Sequence, residues 1–141
     1  MKLSKVLTGL AGCVLATASL TGCIVVDHDD DHDHLTRGSL TVALTIDGSH
    51  DPWECFDHDV SGVAVSVEDE AGFLVVDAVG DCDDLGLTID GLSEGYYDVD
   101  VWLVDFDGDP MSDIVRVESV DVLDGADTLV EVDFPWTWID P

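Results

Sequence analysis

The sequence predicts an all-β protein: a single antiparallel sandwich of seven strands, preceded by a cleaved leader and an acidic linker. Three observations carry this reading. From Ser39 onward, apolar and polar residues alternate with a period of two over short segments. Turn signals, several of them Asp-Gly, separate those segments at regular intervals. After Cys23, no window of about ten residues or more shows the 3.6-residue period of an amphipathic helix. The chain accordingly divides into residues 1–22 (leader), 23–38 (anchor and linker) and 39–141 (sandwich).

Each strand has its own justification. Leu40, Val42, Leu44 and Ile46 alternate with Thr41, Ala43 and Thr45, the pattern of a half-buried strand, and Asp47-Gly48 turns the chain. Val63, Val65 and Val67 make a second strand, stopped by Glu68-Asp69-Glu70-Ala71-Gly72. Phe73 to Val79 is a third, and its dense apolar run predicts a central position. Leu85 to Ile89 is a short fourth, ended by Asp90-Gly91. Tyr97, Val99, Val101 and Leu103 form one face of a fifth, with Asp98 and Asp100 on the other. Ile114 to Val122 and Thr128 to Phe134 complete the set, separated by Asp124-Gly125. Short strands at this spacing favour a sandwich, and about 100 residues suffice for one core.

The stretch Leu92-Ser93-Glu94-Gly95-Tyr96-Tyr97-Asp98-Val99 resembles the Leu-x-x-Gly-x-Tyr-x-Val corner of prealbumin-like modules. These include the carboxypeptidase regulatory-like domain and the B-type repeats of collagen adhesins. The resemblance implies an Ig-like or prealbumin-like sandwich over Leu40 to Phe134. In it, Gly95 would let the chain cross between sheets, and the Tyr97 hydroxyl would tie the corner to upstream backbone. Leu103-Val104-Asp105-Phe106-Asp107-Gly108-Asp109 looks like the hairpin that follows in those modules. Adhesin repeats often carry a lysine isopeptide crosslink. Past the leader this chain has no lysine, so that crosslink cannot form.

The leader has a short positive region at Lys2 and Lys5, then an apolar stretch from Val6 to Leu20 diluted by small residues. It is too short and interrupted for a comfortable membrane-spanning helix. Leu20-Thr21-Gly22-Cys23 resembles the lipobox of bacterial lipoproteins, which implies cleavage before Cys23 and lipidation of its thiol. Several acyl chains on one residue give lasting attachment to a bilayer, where a single chain does not. Ile24, in place of the aspartate that favours inner-membrane retention in enteric bacteria, leans towards a Gram-negative outer membrane, with the domain facing periplasm or cell surface.

Charge narrows the partners. The chain holds 32 acidic residues against four basic ones, and removal of the leader would leave Arg37 and Arg116 as the only arginine or lysine cations. Such a field repels nucleic acid and anionic lipid headgroups. The linker centre, Asp27-His28-Asp29-Asp30-Asp31-His32-Asp33-His34, is a solvated tether by composition. His28, His32 and His34 could alternatively bind a transition metal weakly there. Cys13 leaves with the leader and Cys23 is lipidated, so Cys55 and Cys82 remain for a disulfide in an exported, oxidising setting. That bridge closes the loop from 55 to 82, worth roughly 3–4 kcal/mol by chain entropy. A metal or redox pair is the alternative, although neither cysteine shows CxxC spacing.

The remaining motifs give little chemistry. Gly91-Leu92-Ser93-Glu94-Gly95 matches the nucleophile elbow Gly-x-Ser-x-Gly but lies between two antiparallel strands, not on a strand-to-helix turn. Enzymatic activity is therefore not expected. Asp105, Asp107, Asp109 and Asp113 partly imitate a Ca²⁺ loop, yet the glycine stands at its fourth place and no glutamate closes it. Asp51 to Asp59, with His50, His58, Trp53 and Phe56 around Cys55, is a second acidic region able to form a loop site, although its aromatic residues could equally cap the core. Trp136 and Trp138 could stack on sugar rings or a partner, or close the open end of the sandwich. The expected role is thus a non-catalytic, structural or interaction role in the cell envelope, with an unidentified envelope protein or polysaccharide as partner. A Ca²⁺-binding module and a carbohydrate-binding module are the alternatives; no other cofactor is expected.

Overall fold

The seven strands are β1 (Arg37–Ile46), β2 (Gly62–Asp69), β3 (Leu74–Asp81), β4 (Gly86–Ser93), β5 (Gly95–Val104), β6 (Val115–Val122) and β7 (Asp127–Phe134). The computed structural model describes residues 37–139. The leader, Cys23, the linker histidines His28, His32 and His34, and the last two residues lie outside the described residues. Every described residue belongs to one compact unit, Asp33–Pro141.

Alternation decides the architecture. On β1, Leu40, Val42, Leu44 and Ile46 are buried while Thr41, Ala43 and Thr45 look outward. Val63, Val65 and Val67 of β2 and Val99, Val101 and Leu103 of β5 are fully enclosed. A sheet with one such face leaves water only by covering it with another. The strands accordingly sort into two sheets, ordered β4-β1-β7 and β3-β2-β5-β6. Neighbours are antiparallel except β1 and β7, which run parallel from Ser39 opposite Asp127 to Ile46 opposite Phe134. On the outer face of that pair, Thr41 and Thr45 donate to Asp127 and Asp133 at 3.0 and 2.8 Å. Among the described residues the core is aliphatic, and Phe134 and Tyr97 are its aromatic members.

The chain crosses between sheets after β1, β3, β4 and β6. The strand directions put the first two crossings at the end of the sandwich that carries Ile46, and the other two at the end that carries Arg37. At the Ile46 end, a disulfide joins Cys55, in the short helix α1 (Trp53–Asp57), to Cys82, in a 3-10 turn at Cys82–Asp84. Both cysteines are buried. Backbone bonds bind the same junction, Val60 N–H donating to Cys55 O at 2.9 Å and Cys82 N–H to Ser61 O at 3.0 Å. At the opposite end, the Tyr97 hydroxyl donates to Ser93 O at 2.8 Å across the β4–β5 crossing, the predicted tyrosine corner.

Three sequence expectations need correction. β3 is not central: it is an edge of the four-stranded sheet, and Leu74, Val75 and Val79 are exposed. A dense apolar run fits a strand buried on both faces, but here it clothes an edge and part of an outer face. Asp90-Gly91 does not end β4, which continues to Ser93. Register slips as Ser39 pairs Asp90 and Gly38 pairs Leu92, so Gly91, at φ +79°, is the extra residue of a bulge. Gly95 is not sterically obliged, because a Cβ there would meet nothing nearer than the Tyr97 ring at 3.8 Å. The corner rests on the tyrosine.

Two substitutions test these ties by urea denaturation of residues 33–141. Tyr97→Phe, which orphans the Ser93 carbonyl, is expected to cost about 1–2 kcal/mol. Replacing Cys55 and Cys82 together with alanine is expected to cost roughly 3–4 kcal/mol. Unchanged midpoints would show that neither tie supports the crossings.

Candidate binding site at the disulfide-stapled end

The aromatic residues that the core does not use are distributed unevenly. Trp53 and Phe56 on α1, Phe106 after β5, and Trp136 and Trp138 on a 3-10 turn after β7 are all exposed. All five follow the upward ends of strands and so gather at the Ile46 end, around the disulfide. Phe106 is 80% exposed and Trp53 69%, values that exclude a role as core caps. Trp53 and Phe56 lie with ring centroids 5.5 Å apart, and Trp136 tilts against His58 at 5.7 Å. Phe56 and Phe106 line one depression beside the disulfide. Glu54, Asp47, Ser49, His58 and Trp136 line another.

Phe106 also borders an open groove of about 580 Å³ on the outer face of the four-stranded sheet. Its floor is β2, where Gly62 and Ala64 point outward because Val63 and Val65 point in. Ala64 pairs with Val79 on one side and Trp102 on the other, so these two side chains form the walls. With strands about 4.8 Å apart, the walls stand roughly 10 Å from each other. A Cβ on Gly62 would come within 3.1 Å of Val104 and 3.2 Å of Val79, so the floor there is already at contact. Asp77 and Asp81 stand along the β3 side and Asp107 at the hairpin end.

The sheet's one arginine is committed elsewhere. Arg116 on β6 bonds Glu68 at 2.8 Å and Asp98 and Asp100 at 3.1 Å, knitting β2, β5 and β6. Hydrogen bonds to Glu68 and Asp98 hold its guanidinium protonated well above the ordinary range. The Asp98 carboxyl is held below its ordinary value, first by the Ser119 backbone N–H and then by Arg116. Arg37, at the other end, donates to Gly91 O. Among the described residues, Asp77, Asp81 and Asp107 therefore face the groove with no arginine beside them.

The residues singled out from sequence have mixed fates. Trp136 and Trp138 are exposed as a stacking role requires. They do not form one platform: Trp136 meets His58, whereas the Trp138 carbonyl accepts from Asp113 N–H. Asp105, Asp107, Asp109 and Asp113 are not gathered around a common point, and no such cluster of three or more ligands occurs among the described residues. One Asp105 oxygen instead accepts the backbone N–H groups of Asp107 and Asp109, both at 2.9 Å, and Gly108 takes φ +85°. The aspartates build a turn. Ser93 lends its carbonyl to the tyrosine corner, and the described histidines, His50 and His58, lie at the opposite end of the strands. Trp102 was missed, although alternation with Val101 and Leu103 marks it as outward-facing on β5.

No protein-family model matches this chain, and no curated protein does. Among solved structures it is similar to one from Bacteroides thetaiotaomicron VPI-5482, described as that of proposed polysaccharide-binding proteins, with 13% identity and a TM-score of 0.42. The match covers 67% of this chain and 46% of that one, so this chain spans less than half the length of its counterpart. At that distance the likeness transfers no site and no ligand.

Two measurements check the electrostatics. Because the folded pKa of Asp98 is lowered, its contribution is present above the ordinary carboxylate range and is lost as pH falls through the folded value. Asp98→Asn should therefore melt below the parent at neutral pH and converge with it in acid; a constant gap would contradict the assignment. NaCl should raise the melting temperature by screening like charges, and CaCl₂ of equal ionic strength should do no more. A calcium-specific rise would mean that the Asp105 turn rearranges into a site.

Proposed function

We propose that this is a non-catalytic, lipid-anchored envelope protein that binds carbohydrate at the end of its sandwich farthest from the tether. The supporting observation is the polarity of the domain. Arg37 begins β1, and five of the seven exposed aromatic residues lie at the far end of ten-residue strands such as β1, about 33 Å away at ~3.3 Å per residue, against Phe73 and Tyr96 at the Arg37 end. A tether joined before Arg37 would leave the aromatic end free to meet a ligand.

Carbohydrate suits this surface better than a protein partner does. Protein interfaces draw on aromatic residues but are depleted in Asp and Glu. Here aromatic rings and carboxylates interleave at Trp53, Glu54, Phe56 and Asp57, and again at Asp105, Phe106 and Asp107. Rings offer flat faces to sugar C–H groups, and carboxylates accept hydrogen bonds from sugar hydroxyls. The acidic field also disfavours phosphorylated polymers.

Titrating residues 33–141 with a panel of neutral envelope polysaccharides tests the reading through tryptophan fluorescence. At least one should shift the emission, and Trp136→Ala or Trp53→Ala should weaken it about tenfold, equivalent to ~1.4 kcal/mol. If no polysaccharide changes the emission, the reading fails. The anchor has its own check: fatty-acid labelling of the expressed protein should occur and should vanish in Cys23→Ser.

A further inference from the structure

We propose that the free edge of β3 is a docking site for an extended segment of a partner protein, which joins the four-stranded sheet as a further strand and carries cations four residues apart. This docking is independent of the carbohydrate reading. Sequence and position conflict at β3. Phe73–Val79 has the dense apolar run of a strand covered on both sides, yet among the described residues β3 has β2 as its only neighbour in the sheet. Leu74, Val75 and Val79 are exposed, Val79 to 65%. A strand added at the free edge would make β3 the internal strand that its sequence describes.

The backbone is oriented for this. At the two ends of the β2–β3 ladder, Asp69 N–H donates to Phe73 O at 2.9 Å and Cys82 N–H to Ser61 O at 3.0 Å. These bonds and the register fix the phase: Val76, Ala78 and Gly80 turn their backbone groups to β2, and Asp77, Val79 and Asp81 turn theirs outward. Among the described residues nothing bonds those outward groups. The flank beneath is open as well. Val76 and Ala78 on β3 are only half-buried, as is Leu87 on β4, which lies against Gly80. The opposite flank is closed by buried Val120, Val122, Val130 and Val132, and by the Thr128 hydroxyl, which donates to Asp121 O at 2.9 Å. Other edges are interrupted: Ser119, at φ +57°, breaks β6, and Gly91 bulges β4. Val76–Asp81 has no bulge, proline or lysine, the devices that guard an edge.

Charge selects the occupant. Asp77, Val79 and Asp81 alternate with inward residues along this edge, and both arginines of the domain are engaged elsewhere. In an added strand the residues opposite Asp77 and Asp81 also stand four apart. Cations there meet the carboxylates, and an apolar residue between them covers Val79. A second copy of this chain supplies the wrong sign. Its formal net charge is −28, and its own β3 would bring a second Asp77 and Asp81 into one short ladder.

Fluorescence anisotropy on residues 33–141, which form one compact unit, tests the docking at constant ionic strength. The probe is a short dye-labelled peptide with lysine at every fourth residue and valine and threonine between. A second version is N-methylated at alternate residues, the lysines included, which removes main-chain donors and keeps the charge. The plain peptide should bind at least about tenfold more tightly than the methylated one. Val79→Pro deletes an outward N–H that the β2–β3 ladder does not use, and should weaken binding about tenfold. Val79→Lys, which repels the peptide's lysines and leaves the backbone donor in place, should do the same and covers the case in which the proline variant does not fold. No binding, equal affinity for the two peptides, or indifference to both Val79 variants overturns the inference. So does a dimer of the domain alone that Val79→Lys abolishes, which would make the occupant a second copy. Refusal by residues 24–141 of a peptide that residues 33–141 accept also overturns it, by making the occupant the chain's own linker.

Discussion

The Cys55–Cys82 bridge is the interaction on which the Ile46 end of the sandwich depends. α1 has five residues, far below the length at which a helix holds itself in water, and the turn at Cys82–Asp84 has three. Neither buries an apolar side chain of its own beyond its cysteine. Joined, they become one small platform capping the two crossings at the Ile46 end. Trp53 and Phe56 project from that platform, and Phe56 shares a depression with the cysteines and Phe106. Trp53 and Phe56 therefore borrow their positions from a covalent tie.

A second constraint is charge. The described domain carries no lysine, and its two arginines sit at a crossing and in a three-carboxylate clamp. Burial avoids the problem: no charged residue is buried among those described, and the interior is packed mainly by aliphatic side chains, with Phe134, Tyr97 and the disulfide. The acids are pushed outward, where several find structural work. Asp69 and Asp105 each accept two backbone N–H groups to shape a turn, and Asp127 and Asp133 accept from β1 threonines. Among the described residues, the groove carboxylates Asp77 and Asp81 have no such partner.

Much of the scaffold was legible in the sequence because its cause is local. Alternation at Leu40–Ile46 and Tyr97–Leu103 fixes which residues face the core, the cysteine inventory fixes the bridge, and Tyr97 announces its corner. What escaped depends on pairing between distant segments. Nothing within Phe73–Val79 tells that it lies at an edge; that follows only when β2 takes β5 as its other neighbour. Gly91 looks like a stop until the slip against Gly38 and Ser39 makes it a bulge. The groove is invisible for the same reason. Ala64, Val79 and Trp102 are far apart in the chain and become one row across three strands only in the folded sheet. Trp102 could have been suspected, since an aromatic residue on the same face as Asp98 and Asp100 has no reason to be there for the core.

If carbohydrate meets the protein at the disulfide-stapled end, chemical shifts must map there. Amide and indole chemical-shift mapping on isotope-labelled residues 33–141, titrated with a neutral envelope polysaccharide that changes the tryptophan emission, tests this most directly. Shifts should be confined to Trp53, Phe56, Phe106, Trp136 and their neighbours, with the Arg37 end unmoved. Shifts spread evenly over the acidic surface, or centred on Phe73 and Tyr96 at the Arg37 end, would contradict it.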